Sequence, residues 1–125
     1  MTGSAASRRQ EVLLETLRKL LLRGARANIS NLLGRVRPVD MAGLMHLLDG
    51  TEQLQLFRIL SADFPDGAGE VLTEMEPTHR HALLEQLTPE EIAAVLERVP
   101  VDDAVYVVDA LPESLREEVV SLVDL

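Results

Sequence analysis

Six prolines punctuate this chain: Pro38, Pro65, Pro77, Pro89, Pro100 and Pro112. The last five are spaced 12, 12, 11 and 12 residues apart, and Thr51 falls near the one missing beat between the first two. Proline is favoured in the first turn of a helix, where its absent N–H costs nothing and its φ is already helical. Each proline therefore predicts the start of a short helix. A helix of about ten residues is not stable alone in water. Such units have to bury their apolar stripes against one another, which is the logic of a stacked helical repeat.

The side chains keep the same period. Seven residues after each proline comes Met45, Leu72, Leu84, Leu96, Val107 or Val119, and ten after comes Leu48, Met75, Leu87, Val99, Ala110 or Leu122. Positions +3, +7 and +10 share one helical face, so each unit offers one buried stripe. Thr88-Pro-Glu-Glu91 has the spacing of a capping box, and Asp63 before Phe64-Pro65-Asp66 is expected to cap in the same manner. The predicted fold is all-α: a longer first helix over about Ala6 to Arg23, ended by Gly24, and then roughly eight short helices coiled into an armadillo-like solenoid. The handedness is not fixed by patterning. Residues 1–23 read as a basic N-terminal segment and helix, and 24–125 as an acidic helical repeat, within one structural domain.

Composition narrows the chemistry. Apolar residues make up 46% of the 125, yet only Phe57, Phe64 and Tyr106 are aromatic, so the core must be aliphatic. The absence of Cys excludes disulfides and thiolate-ligated zinc. No run approaches the roughly 18–20 apolar residues of a membrane span, and MTGSAASRRQ has no signal-peptide apolar core; the expectation is a soluble, cytosolic chain. Residues 1–37 carry eight basic side chains against two acidic ones, whereas 38–125 carry four against nineteen. That acidic body argues against a nucleic-acid groove, because phosphate contacts need clustered Lys and Arg. It favours metal cations or a basic partner, unless the charge merely keeps the surface solvated.

The carboxylates have a direction. After Pro100, Ala104, Val107, Val108 and Leu111 form the apolar stripe; Asp102, Tyr106 and Asp109 fall within about 60° of one another on the opposite face, with Asp103 flanking. After Pro65, the core positions are Ala68, Val71, Leu72 and Met75, leaving Asp66, Glu70 and Glu74 as an outward acidic stripe. Glu90 and Glu97 stand outward on the helix between. Asp102 and Asp103 are explained by a first helical turn, where the dipole favours an anion by about 0.3–1 kcal/mol each. Glu70, Glu74 and Asp109 lie late in their helices and have no such reason. If a cation binds, hard oxygen donors on rigid helices suggest Mg²⁺, which takes only one or two direct carboxylates and keeps its waters. The site would then be weak in isolation and completed by a partner.

Catalytic readings find no support. Gly67-Ala-Gly69 lacks the spacing and the Lys of a phosphate loop. His79 and His81 are two apart on a helix and cannot chelate together; His81 is expected to be half-buried packing. The expectation is a protein that is not an enzyme.

The run RPVDMAGLMHLLDGTEQLQLFRIL, then AGEVLTEM, then LLEQLTPEEIAAVLERVPVDDAVYVVDALP, resembles the cytosolic N-terminal domain of MgtE-type magnesium transporters, over roughly Leu20 to Leu122. The resemblance implies a right-handed superhelix of short helices on the cytoplasmic side of the cell membrane, attached to a CBS domain pair and a transmembrane domain, and it leaves dimerisation through the parent transporter open. It further implies that several Mg²⁺ ions sit between this domain and the CBS pair and hold the channel closed when Mg²⁺ is plentiful. Glu70 of the G-E-V-L run matches a metal-ligating Glu of the family, and Asp102 a ligating Asp. A further ligating Asp stands where this chain has Tyr106, so Asp103 or Asp109 would have to substitute; the candidate metal residues are Glu70, Asp102, Asp103 and Asp109. Two other readings compete: an α-solenoid protein-interaction module without a metal role, similar to the armadillo-like domain of flagellar motor switch proteins, and a small hydrolase using surface carboxylates.

Overall fold

A computed structural model describes residues 5–123; the first four residues of the 1–23 segment and the last two of 24–125 lie outside them. The described residues form nine helices: α1 (Ala5–Arg23), α2 (Arg26–Leu33), α3 (Pro38–Met45), α4 (Gly50–Asp63), α5 (Pro65–Glu74), α6 (Pro77–Gln86), α7 (Pro89–Leu96), α8 (Val101–Asp109) and α9 (Glu113–Leu122). The chain is all-α, and no strand occurs among the described residues. None of these helices is long and apolar enough to cross a membrane.

The helix boundaries follow from local chemistry. Gly24 ends α1 in the left-handed region at φ +66. Its N–H donates to the Leu21 carbonyl (3.2 Å) and the Ala25 N–H to that of Leu20 (3.1 Å), closing a Schellman motif that a residue with a Cβ adopts only with strain. Pro38, Pro65, Pro77 and Pro89 occupy the first helical position, as predicted. Pro100 and Pro112 stand one residue earlier, as extended N-caps whose carbonyls accept the first helical bonds from Ala104 (3.0 Å) and Arg116 (2.8 Å). The Thr88 capping box is formed in both directions, Glu91 N–H to Thr88 Oγ1 (3.1 Å) and Thr88 N–H to Glu91 Oε1 (2.9 Å).

Asp63 does not cap α5. It is the last residue of α4, and Phe64 alone separates the two helices, so no side-chain cap forms there. The Asp63 carboxylate instead takes both guanidinium nitrogens of Arg26 (2.9 and 3.1 Å), tying the end of α4 to the start of α2. A second capping box, Asp49 with Glu52, opens α4 at the missing proline beat.

The apolar stripes pack largely by alternation: α2 on α4, α3 on α5, α4 on α6, α5 on α7, and α7 on α9, with α1 against α2 and α4. All six residues at position +7 are buried, from Met45 to Val119. At +10 the pattern fades. Leu48, Met75 and Leu87 are buried, Val99 is half-buried, and Ala110 and Leu122 are exposed. Position +10 lies at or beyond the end of its helix, and no further helix among the described residues covers the last two units.

Two buried polar side chains repeat one device. Gln53 and Arg80 are each the fourth residue of their helices, α4 and α6, and each reaches back to the carbonyls that end an earlier helix. Gln53 Nε2 donates to Met45 O (2.6 Å) and Leu48 O (3.3 Å). Arg80 Nη1 donates to the carbonyls of Leu72 (3.5 Å), Thr73 (3.4 Å) and Met75 (3.2 Å) at the end of α5. Both satisfy helix-end acceptors that have no intrahelical partner. Arg80, only 3% exposed, also places its positive charge at the negative end of the α5 dipole. Its guanidinium carbon lies 5.1 Å from the Tyr106 ring centroid, a cation–π contact to α8.

Candidate cation-binding surface

Glu70, Asp102, Asp103 and Asp109 are all exposed, and so are Asp66 and Glu74, while Leu72, Leu96 and Val107 beneath them are fully buried. The structure brings only part of the predicted set together. Asp66, Glu70 and Glu74 on α5 and Asp103 on α8 line one shallow cleft of 360 Å³, with Thr73, Arg98, Val99 and Pro100 completing it. Asp102 and Asp109 do not line it. Each residue turns a helix by about 100°. Of the adjacent pair in the first turn of α8, only Asp103 faces α5.

A glycine permits the close approach of α5 to the 98–100 segment beside the cleft. A Cβ on Gly69 would stand 2.5 Å from Cγ1 of Val99, closer than any real contact, so α5 and the 98–100 segment approach as they do only with Gly there. Arg98 is the one cationic residue of the lining, and its Nη1 pairs with Asp66 at 3.2 Å. Both side chains are largely exposed, so the pair holds weakly. No local signal foretells this partnership across 32 residues of chain.

Every other donor in the cleft is a hard oxygen. Among the described residues, no three His, Asp or Glu side chains gather closely enough to hold a metal by themselves. Glu70 with Asp103 suits the one or two direct carboxylates that Mg²⁺ takes, with water or a second surface supplying the rest. The Tyr106 side chain is 58% exposed and its ring lies against Arg80, so it offers no carboxylate to this surface.

The histidines separate as expected, but His81 is exposed rather than half-buried. It lies 3.7 Å from Glu85 on its own helix. The reason is that α6 packs on α4, whereas a gap of 370 Å³ lined by Arg80, His81, Leu84 and Tyr106 lies between it and α8. His46 and His79 form a pair that sequence spacing does not reveal, their ring centroids 4.5 Å apart. His46 Nε2 accepts the N–H of Glu76, the residue just before α6 (3.1 Å). Burial, and then repulsion from His79, hold its pKa below the ordinary imidazole value against the opposing pull of Glu76.

A group with a lowered folded pKa binds its proton more readily in the unfolded chain. Stability should therefore fall as pH drops below the unfolded value of about 6.5, where protonation of Nε2 also breaks the bond from the Glu76 N–H. Urea unfolding between about pH 7.5 and 5.5 is expected to show this loss in the native sequence and a flatter profile in His46→Gln. Identical slopes would remove His46 as the cause.

The family model of the MgtE intracellular N domain matches residues 36–125, from the residue two before α3 through α9, and leaves α1 and α2 outside the matched span. No curated protein matches the chain.

Proposed function

The chain belongs to the family of MgtE intracellular N domains, and we propose from that premise that it is a regulatory, non-catalytic domain that senses intracellular Mg²⁺ for a magnesium transporter. The observation that supports this reading is the acidic cleft that Glu70 and Asp103 line together with Asp66 and Glu74. The cleft is a half-site. A CBS domain pair supplies the other half, and Mg²⁺ shared between the two acidic surfaces offsets their repulsion.

The electrostatics are adequate to such a switch. Two like charges 4 Å apart repel by about 1 kcal/mol in water and about 4 kcal/mol at an effective dielectric of 20. Driving a two-state equilibrium from 1:99 to 99:1 takes about 5.5 kcal/mol, so a few such contacts suffice. With Mg²⁺ scarce the surfaces separate and transport is permitted; with Mg²⁺ abundant they close. Asp102 and Asp109, outside the cleft, are placed to take further shared ions on the α8 face.

The test is a binding titration between this chain and a CBS pair, with and without Mg²⁺. Affinity should rise at least about tenfold with the ion, and Glu70→Gln with Asp103→Asn should abolish that rise. Association of equal strength in chelator and in Mg²⁺ would instead make this a protein-interaction module without a metal role.

A further inference from the structure

The basic charge of the N-terminal helices divides into two populations. Arg18 and Arg26 turn toward the body and are engaged there: Arg18 with Glu52 (3.3 Å) and the Leu47 carbonyl (2.9 Å), Arg26 with Asp63. Arg8, Arg9, Lys19 and Arg23 point outward, and none makes an ion pair among the described residues. At 100° per residue, all four lie within about 60° of Val12 around the α1 axis, with exposed Glu15 the one acid among them. Val12 is 61% exposed on that face, and Leu22, 90% exposed, stands at its edge.

We infer that this outer face of α1 is a docking surface for an anionic lipid bilayer, with Arg8, Arg9, Lys19 and Arg23 on headgroup phosphates and Val12 and Leu22 in the interfacial layer. The apolar face of α1 (Leu13, Leu14, Leu17, Leu20 and Leu21) packs on the body, so attraction of the basic face to anionic headgroups carries the contact, and Val12 and Leu22 add apolar area to it. The α1 helix is about 28 Å long, and Arg8, Arg9, Val12, Lys19 and Arg23 are exposed along it. Beside it, Arg9 also lines a groove of 600 Å³ with Arg35 and Arg37, the last of these paired with Asp40 of the same lining at 3.2 Å. Lipid recognition by basic pockets next to amphipathic helices follows the same electrostatics.

The acidic remainder of the chain sets the orientation. Residues 38–125 are repelled by an anionic surface, so only the α1 face can approach within a Debye length of about 8 Å at physiological salt. The inference does not depend on the metal reading, since α1 lies outside the span that the family model matches.

The test is co-sedimentation of the full chain with vesicles of phosphatidylcholine alone and of phosphatidylcholine with phosphatidylserine. The bound fraction should be at least about tenfold higher on the anionic vesicles and should collapse at high salt. Arg8→Gln with Arg23→Gln should reduce binding, and Val12→Ser with Leu22→Ser should reduce it separately. All four residues are exposed, so melting temperatures should not change. Equal sedimentation with both vesicles, or anionic binding that neither variant alters, would overturn the inference. So would capture by soluble polyglutamate without binding to vesicles, which would mark a surface for an acidic protein.

Discussion

Arg80→Ala should lower the unfolding free energy by about 3 kcal/mol. For a chain of this length that corresponds to melting roughly 10 °C earlier. The substitution removes three things at once. The carbonyls of Leu72, Thr73 and Met75 lose their shared donor in a place that water does not reach freely. The buried stem leaves a cavity against the core. The Tyr106 ring loses its cation. Arg80→Met separates these effects, because it refills the volume without restoring the donor, and about half the loss should remain. Tyr106→Ala removes only the cation–π contact and should cost about 1 kcal/mol or less. Urea unfolding of the three variants measures all of this. A loss under about 0.5 kcal/mol in Arg80→Ala would mean that α5 ends securely without it.

Reversing the cleft's charge should have a larger effect on binding than neutralising it. If Mg²⁺ acts by screening two acidic surfaces from each other, then Glu70→Arg with Asp103→Arg makes one surface its own counter-ion. That variant is expected to bind the CBS pair in chelator at least as tightly as the native chain binds it in Mg²⁺, and added Mg²⁺ should not strengthen it. Both residues are exposed, so the fold should tolerate the change. The opposite result, no binding in either condition, would mean that the contacts are specific ligation or shape rather than relieved repulsion. Isothermal titration in both buffers distinguishes the two.

The fold was legible wherever one residue's type dictates its local geometry. The proline beat, Gly24 and the Thr88–Glu91 box announce boundaries that depend on nothing distant. Leu72, Leu96 and Val107 are buried because helical period alone sets their face. What escaped the sequence depends on tertiary neighbours. No local pattern marks Arg80 as buried; its place depends on α5 ending beside it. His81 reads as packing because the equivalent slot in other units holds buried Ala42, Gly69 or Ala93, yet here a gap lined by His81 and Tyr106 separates it from α8. Asp63 reads as a cap until the single-residue turn at Phe64 leaves it within α4. In the candidate site, direction was readable and convergence was not. Periodicity turned Glu70, Asp102, Asp103 and Asp109 outward, but only the folded chain puts Asp103, rather than Asp102 or Asp109, in one cleft with Glu70.

That selection is most directly tested by backbone amide NMR of the full chain during a Mg²⁺ titration. Millimolar Mg²⁺ should move a contiguous group of resonances around Glu70, Glu74 and Asp103, with saturable, weak binding, and Glu70→Gln should erase the group while leaving α1 to α3 unchanged. Shifts spread evenly over Glu90, Glu97, Glu113 and the rest of the acidic surface, or none at all, would contradict a built half-site and leave the charge as ordinary solvation.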